Sequence, residues 1–170
     1  MSNEVLRLAG VVRESITDGP GWRFVIFAQG CPHRCPGCHN PETHDPSGGY
    51  ETTIDALLAE IRKNPLLRGV TLSGGEPFAQ ARLFTALARK IHVLGLDVIT
   101  YTGYTFEELL ASDDSENGWL DLLKECDILI DGRFVLSERT LNLPFRGSKN
   151  QRVIDVKGSL AAGLAVEMDI

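Results

Sequence analysis

Three of the chain's four cysteines, Cys31, Cys35 and Cys38, fall within the stretch GCPHRCPGCHN at 30–40. Four chemistries fit parts of it. Cys35-Pro-Gly-Cys38-His39 has the C-x-x-C-H form of covalent haem attachment, and Cys35 with Cys38 alone has the form of a thioredoxin-like dithiol. The three thiols with one of His33, His39 or His44 would make a closed zinc tetrahedron. The thiols alone would hold a [4Fe-4S] cube by three corners and leave one iron open to a ligand that is not cysteine. The dithiol reading leaves Cys31 idle. Cys126, where a helix meets the run DILI, reads as an inert core thiol. His33 and His39 otherwise read as polar residues on an exposed loop, and His92, on a helix, has no evident partner.

A second stretch, LSGGEP at 72–77, ends one apolar run and opens another. Glycines there let the backbone approach a ligand closely, and Glu76 adds a negative group suited to an ammonium. The same letters also spell an ordinary strand-to-helix turn with Pro77 at the first helical position.

The elements around these motifs follow from hydrophobic periodicity. WRFVIFA at 22–28 is a nearly continuous apolar and β-favouring run, as in a strand buried on both faces, and it leads directly to Cys31. From Gln29 to Gly49 there are four prolines and no apolar period, hence a long loop of the functional kind. Thr52 and Asp55 open a helix carrying Ile54, Leu57, Leu58 and Ile61 on one face, which Pro65 ends. GVTLSG at 69–74 is the next strand, followed by a helix from Pro77 to Leu94 with Gly95 as its stop. LDVITYTG at 96–103 is a third strand; Thr105 and Glu108 form a capping box, and Trp119 to Glu125 a further helix. DILIDG at 127–132 and RVIDV at 152–156 are strands, ASDDSENG is a solvated loop and 133–151 is irregular. Strands alternating with helices imply an α/β sheet or partial barrel with parallel pairing. Both motifs then share one rim of the sheet, where α/β proteins place their sites.

At 170 residues and 43% apolar the chain has material for one core, so 1–170 reads as a single domain. A net charge of -6 argues against nucleic acid or anionic lipid as partners. The start MSNEVLRLAGVV lacks a basic segment followed by an apolar one, and no apolar run reaches the roughly 18 residues of a membrane span, so a cytoplasmic location is expected. Thiols there stay reduced, which favours ligands over disulfides and disfavours haem attachment.

In this order and separation, Cys31, Cys35, Cys38 and Gly74-Gly75-Glu76-Pro77 resemble the signature of the radical S-adenosylmethionine (SAM) superfamily. The segment 18–40 is similar to the glycyl-radical enzyme activases. YTGYTFEEL at 101–109, DILIDGRF at 127–134 and LPFRGSKNQRVIDV at 143–156 resemble the activases of anaerobic ribonucleoside-triphosphate reductase within that group. The resemblance implies a radical SAM type partial (β/α) barrel, truncated and laterally open at this length, and an open face that suits a protein substrate. It implies a [4Fe-4S] cluster on Cys31, Cys35 and Cys38 whose fourth iron chelates SAM. Gly74, Gly75 and Glu76 would take the methionine end, Gly37, Cys38 and His39 the adenine or ribose, and Tyr101 and Thr102 further contacts. Gly37 departs from the aromatic residue that many members place before the third cysteine. The implied partners are the reductase and a low-potential electron donor such as flavodoxin or ferredoxin. Arg133, Arg139, Arg146 and Lys149, within an acidic chain, read either as a solvated loop or as a docking surface for the reductase. Activation of another glycyl-radical enzyme, small-molecule radical chemistry and a zinc-stabilised binding module are the alternatives.

Overall fold

The computed structural model describes residues 4–112, 114 and 116–170; the expected loop ASDDSENG includes Asp113 and Ser115, which lie outside the described residues. Strands β1 (Val5–Ser15), β2 (Arg23–Ala28), β3 (Tyr50–Thr53), β4 (Gly69–Gly74), β5 (Asp97–Tyr101), β6 (Ile128–Asp131) and β7 (Arg152–Asp155) form one sheet in the order β3-β1-β2-β4-β5-β6-β7. The helices are α1 (Ile54–Arg62), α2 (Ala81–Val93), α3 (Phe106–Ala111), α4 (Trp119–Glu125) and α5 (Val156–Ala162).

The α/β class is as expected, and β2, β4, β5 and β6 are parallel because helices carry the chain back between them. The two ends of the sheet are not as expected. β1 and β3 pair antiparallel, and β7 returns antiparallel to β6 because residues 132–151 contain no crossover helix. Local starts also move: α1 is capped by Thr53, whose side chain accepts from Ala56 N, and Pro77–Gln80 forms a separate 3-10 turn before α2. The Thr105–Glu108 capping box forms at α3 as its spacing requires.

All five helices bury their apolar stripes against the same face of the sheet, on Phe24, Ile26, Val70, Leu72, Val98, Leu129 and Ile154. The opposite face carries a smaller cluster, Ile99, Ile130 and Val153, covered by Tyr101, Phe145, Met168 and Ile170. At the N-terminal end of the strands this face is closed by Arg23. Its fully buried guanidinium donates to Thr71 Oγ1 (2.8 Å) and to the carbonyls of Pro20 and Val70 (both 3.1 Å), and pairs with Asp97. Four of the five N–H donors of this buried cation are thus matched and its charge is paired, which makes its burial tolerable. The C-terminal ends of β2, β4 and β5 remain as the rim on which the motifs stand.

Candidate functional site

Ala28 and Gly74 face each other where β2 and β4 end, and the chain crosses between them immediately afterwards. Gly75 N donates to Ala28 O and Glu76 N to Gly30 O, both at 2.8 Å. Gly30 N donates to Thr43 O (2.6 Å) and Cys31 N to His44 O (3.1 Å), so the cysteine loop is tied back on itself. The Gln29 side-chain amide completes the closure by donating to the carbonyls of Glu42 and Asp45. The two motifs that looked separate in sequence therefore share one backbone framework.

Cys31, Cys35 and Cys38 are half-buried free thiols on this loop. Backbone N–H groups are already aimed at two of them: those of His33 and Arg34 at the Cys31 sulfur, and that of Asn40 at Cys38 Sγ (3.4 Å). Arg34 adopts a positive φ of 49° in the turn that presents them. Burial pushes the Cys31 thiol above its ordinary pKa, more than these amides pull it down, and the negative groups Glu76 and Cys35 add to the rise. Amides directed at sulfur are what a thiolate-bound cluster uses to set its potential. Among the described residues no three His, Cys, Asp or Glu side chains converge as a single ion would require. A cube takes one thiolate at each of several separate irons and does not need that convergence. The donor set, three soft sulfurs with amides in support, fits an iron–sulfur cluster.

Glu76 is fully buried, and its carboxylate is a hub. Oε1 accepts from His33 Nε2 (2.6 Å) and Gly103 N (2.8 Å), and Oε2 from Phe78 N (3.1 Å). The single Thr102 hydroxyl proton is shared between them, at 2.9 Å from Oε1 and 2.8 Å from Oε2. Loops following β2, β4 and β5 thus meet at one acid. The His33 side chain is only 4% exposed, far from the exposed loop position expected of it. Its ring packs edge-on against Tyr104, with centroids 4.5 Å apart. No local sequence signal marks this pairing, because its partner is 43 residues away.

Gly37 has a φ of +74°, and a Cβ there would stand 2.9 Å from Leu136 and 3.4 Å from Phe134. The place of a side chain at this position is therefore filled by residues from the segment after β6. Phe134 also packs on His39, ring centroids 5.1 Å apart, and sequence reasoning had given it no role. The hydroxyl of Tyr101 donates to Phe145 O (2.8 Å), pinning the same segment over the open face of the sheet. Tyr101 and Thr102 stand at the rim as expected, with both hydroxyls engaged inside the protein. Cys126 is buried, with burial pushing its thiol up to about 12, in line with an inert core role. His92 does have partners: Nδ1 lies 3.1 Å from Glu125 and Nε2 2.9 Å from Asp127.

The family model described as 4Fe-4S single cluster domain matches residues 17–154. The chain is 36% identical over 144 residues to the anaerobic ribonucleoside-triphosphate reductase-activating protein of Vibrio cholerae, covering 80% of this chain and 89% of that one. The chain belongs to this family of activating proteins. A more distant relative is the pyruvate formate-lyase 2-activating enzyme of Escherichia coli, 29% identical, with 92% of this chain and 64% of that one covered. Among solved structures, QueE from Escherichia coli superposes with a TM-score of 0.50 at 19% identity. That match covers 59% of this chain and about half, 53%, of the other, and it bears on the fold alone.

Proposed function

We propose that the protein is a radical SAM activase that cleaves SAM reductively to a 5'-deoxyadenosyl radical and places a radical on a glycine of anaerobic ribonucleoside-triphosphate reductase. The observation that carries this reading is the locked pair of loops: three thiols with amides aimed at two of them, bonded through Gly30 to the Gly-Gly-Glu turn of the adjacent parallel strand. When bound, the [4Fe-4S] cluster supplies a low-potential electron, and SAM the sulfonium that accepts it.

The chain's own residues do the rest. Cys31, Cys35 and Cys38 hold three corners of the cluster, and the His33, Arg34 and Asn40 amides tune it. Gly74 and Gly75 offer backbone to the methionine end, with Glu76 fixing the turn from behind. Gly37, Cys38 and His39 take the adenine or ribose, and Phe134, beside Gly37 and the His39 ring, supplies the apolar wall that Gly37 cannot. Tyr101 and Thr102 hold the rim. Helices confined to one face of the sheet support reading the four parallel strands as a truncated (β/α) barrel, open at the side where a protein segment would enter. No helix among the described residues is long and apolar enough to cross a membrane. A cytoplasmic setting with a flavodoxin or ferredoxin as electron donor completes the reading.

The test is electron paramagnetic resonance of the anaerobically reconstituted protein with dithionite, SAM and the reductase. A glycine-centred doublet on the reductase is expected, and no doublet overturns the assignment. The likeness to a pyruvate formate-lyase activating enzyme favours one second reading, a different glycyl-radical partner. A doublet on a formate-lyase but not on the reductase would select it.

A further inference from the structure

We infer that the His33–Glu76 pair is a positioning strut that fixes the cysteine loop relative to the methionine-binding turn. The inference rests on the reading above and adds a role to two residues within it.

His33 stands between Cys31 and Cys35, so a shift of its ring is passed to both thiols through two or fewer residues of backbone. Its Nε2 reaches Glu76, which directly follows Gly75, at 2.6 Å with both side chains buried. The strut is braced by a closed circuit of contacts. Tyr104 packs on His33, Trp119 packs at a tilt on Tyr104 with ring centroids 4.6 Å apart, and the Trp119 indole N–H donates to Phe78 O at 3.0 Å. Phe78 N then donates to Glu76.

A turn of this kind needs no buried acid to form, since Pro77 and an exposed capping residue would suffice. Burying a carboxylate is costly unless every lone pair is met, and here the donors come from the loops after β2, β4 and β5. Such an arrangement fixes relative position more than it adds stability. Cluster–SAM chemistry needs that fixity, because an error of about 1 Å between reacting groups can cost about a hundredfold in rate.

Two variants at one position separate the bond from the packing. His33→Phe keeps a ring against Tyr104 and loses the donor, whereas His33→Gln keeps a donor and loses the ring. In reconstituted full-length protein, both are expected to retain wild-type iron and sulfide content, with a modest fall in Tm in each, since one leaves Glu76 a donor short and the other leaves Tyr104 without its ring partner. SAM binding, followed by equilibrium dialysis and by the change SAM makes in the spectrum of the reduced cluster, distinguishes them. His33→Phe is expected to raise the SAM Kd by roughly tenfold to a hundredfold, and His33→Gln to bind close to wild type. Adding Glu76→Gln to His33→Phe should weaken binding no further than the worse single variant, because the two share one interaction. Wild-type affinity in His33→Phe, equal losses of affinity in His33→Phe and His33→Gln, or losses that track iron content, would overturn the strut. Failure of the wild-type protein to bind SAM with its cluster intact would instead defeat the parent reading.

Discussion

Gly74, at the end of β4, lies so close to Ala28, at the end of β2, that a Cβ on Gly74 would stand 2.5 Å from the Ala28 nitrogen. Its φ of +91° is also one that side chains rarely adopt. Gly74→Ala therefore forces apart the strand ends that carry both motifs. Strain of about 2 kcal/mol and a fall in Tm of more than about 5 °C are expected. SAM binding should be lost even at temperatures where circular dichroism reports a folded protein. Retained binding would mean that the cradle tolerates separation of the two ends.

The four cysteines divide by environment. Cys126 is buried, its sulfur in contact with Thr100 Oγ1 (3.1 Å) and Leu122 O (3.2 Å), and burial pushes its pKa to about 12. The other three are half-buried on the loop. Only thiolate reacts with iodoacetamide. In cluster-free protein at about pH 8, Cys35 and Cys38 are expected to be alkylated first, Cys31 more slowly and Cys126 only on unfolding. Peptide mass spectrometry over time reads the order. Correspondingly, serine at 31, 35 or 38 should each abolish iron retention, and Cys126→Ser should leave it intact.

Strands and helices whose own composition decided them were legible. β2 is apolar throughout after its first residue, Arg23, and α4 occupies Trp119–Glu125 as its pattern required. β1 and β3 were not. In β1 only Leu6, Leu8 and Ser15 are buried, with charged Arg7, Arg13 and Glu14 interspersed, and β3 is the polar tetrapeptide YETT. β1 exists because β2 and β3 pair with it on either side, and β3 because β1 does, long-range facts that no local period carries. The site divides in the same way. Its cysteines and glycines stood out by spacing, whereas His33, Phe134 and the full engagement of Glu76 depend on contacts made across the fold.

His92 gives the folded state a pH dependence of calculable sign. Burial alone would lower its pKa, but the hydrogen bonds that the ring donates to Asp127 and Glu125, reinforced by their charge, outweigh burial and raise it above the ordinary 6.5. A group whose folded pKa is raised stabilises fully below its unfolded value, and the contribution fades as pH rises through the folded value. His92→Gln should therefore lower urea-unfolding stability most at about pH 6 and progressively less toward about pH 9. Because the site is a third exposed, the difference should also shrink with added salt. A deficit that grows with pH would contradict the clamp.

The segment after β6 is more ordered than a solvated loop. Arg139 bridges Ser148, Lys149 N donates to Glu138 O, and the buried Ser148 hydroxyl accepts from Val135 N, so Arg139, Arg146 and Lys149 ride on one folded flap. Arg133 is already paired with Glu108 at 3.5 Å. The flap is held on the open face by Tyr101 and touches the cysteine loop through Phe134, so a protein segment approaching the rim would pass along it. Reversing charge at both Arg146 and Lys149 is therefore expected to weaken co-purification with the reductase, with the largest loss at low ionic strength. Both side chains lie off the thiol framework, so iron content and SAM Kd should stay at wild-type values. Unchanged complex formation would show that these cations do not take part in docking.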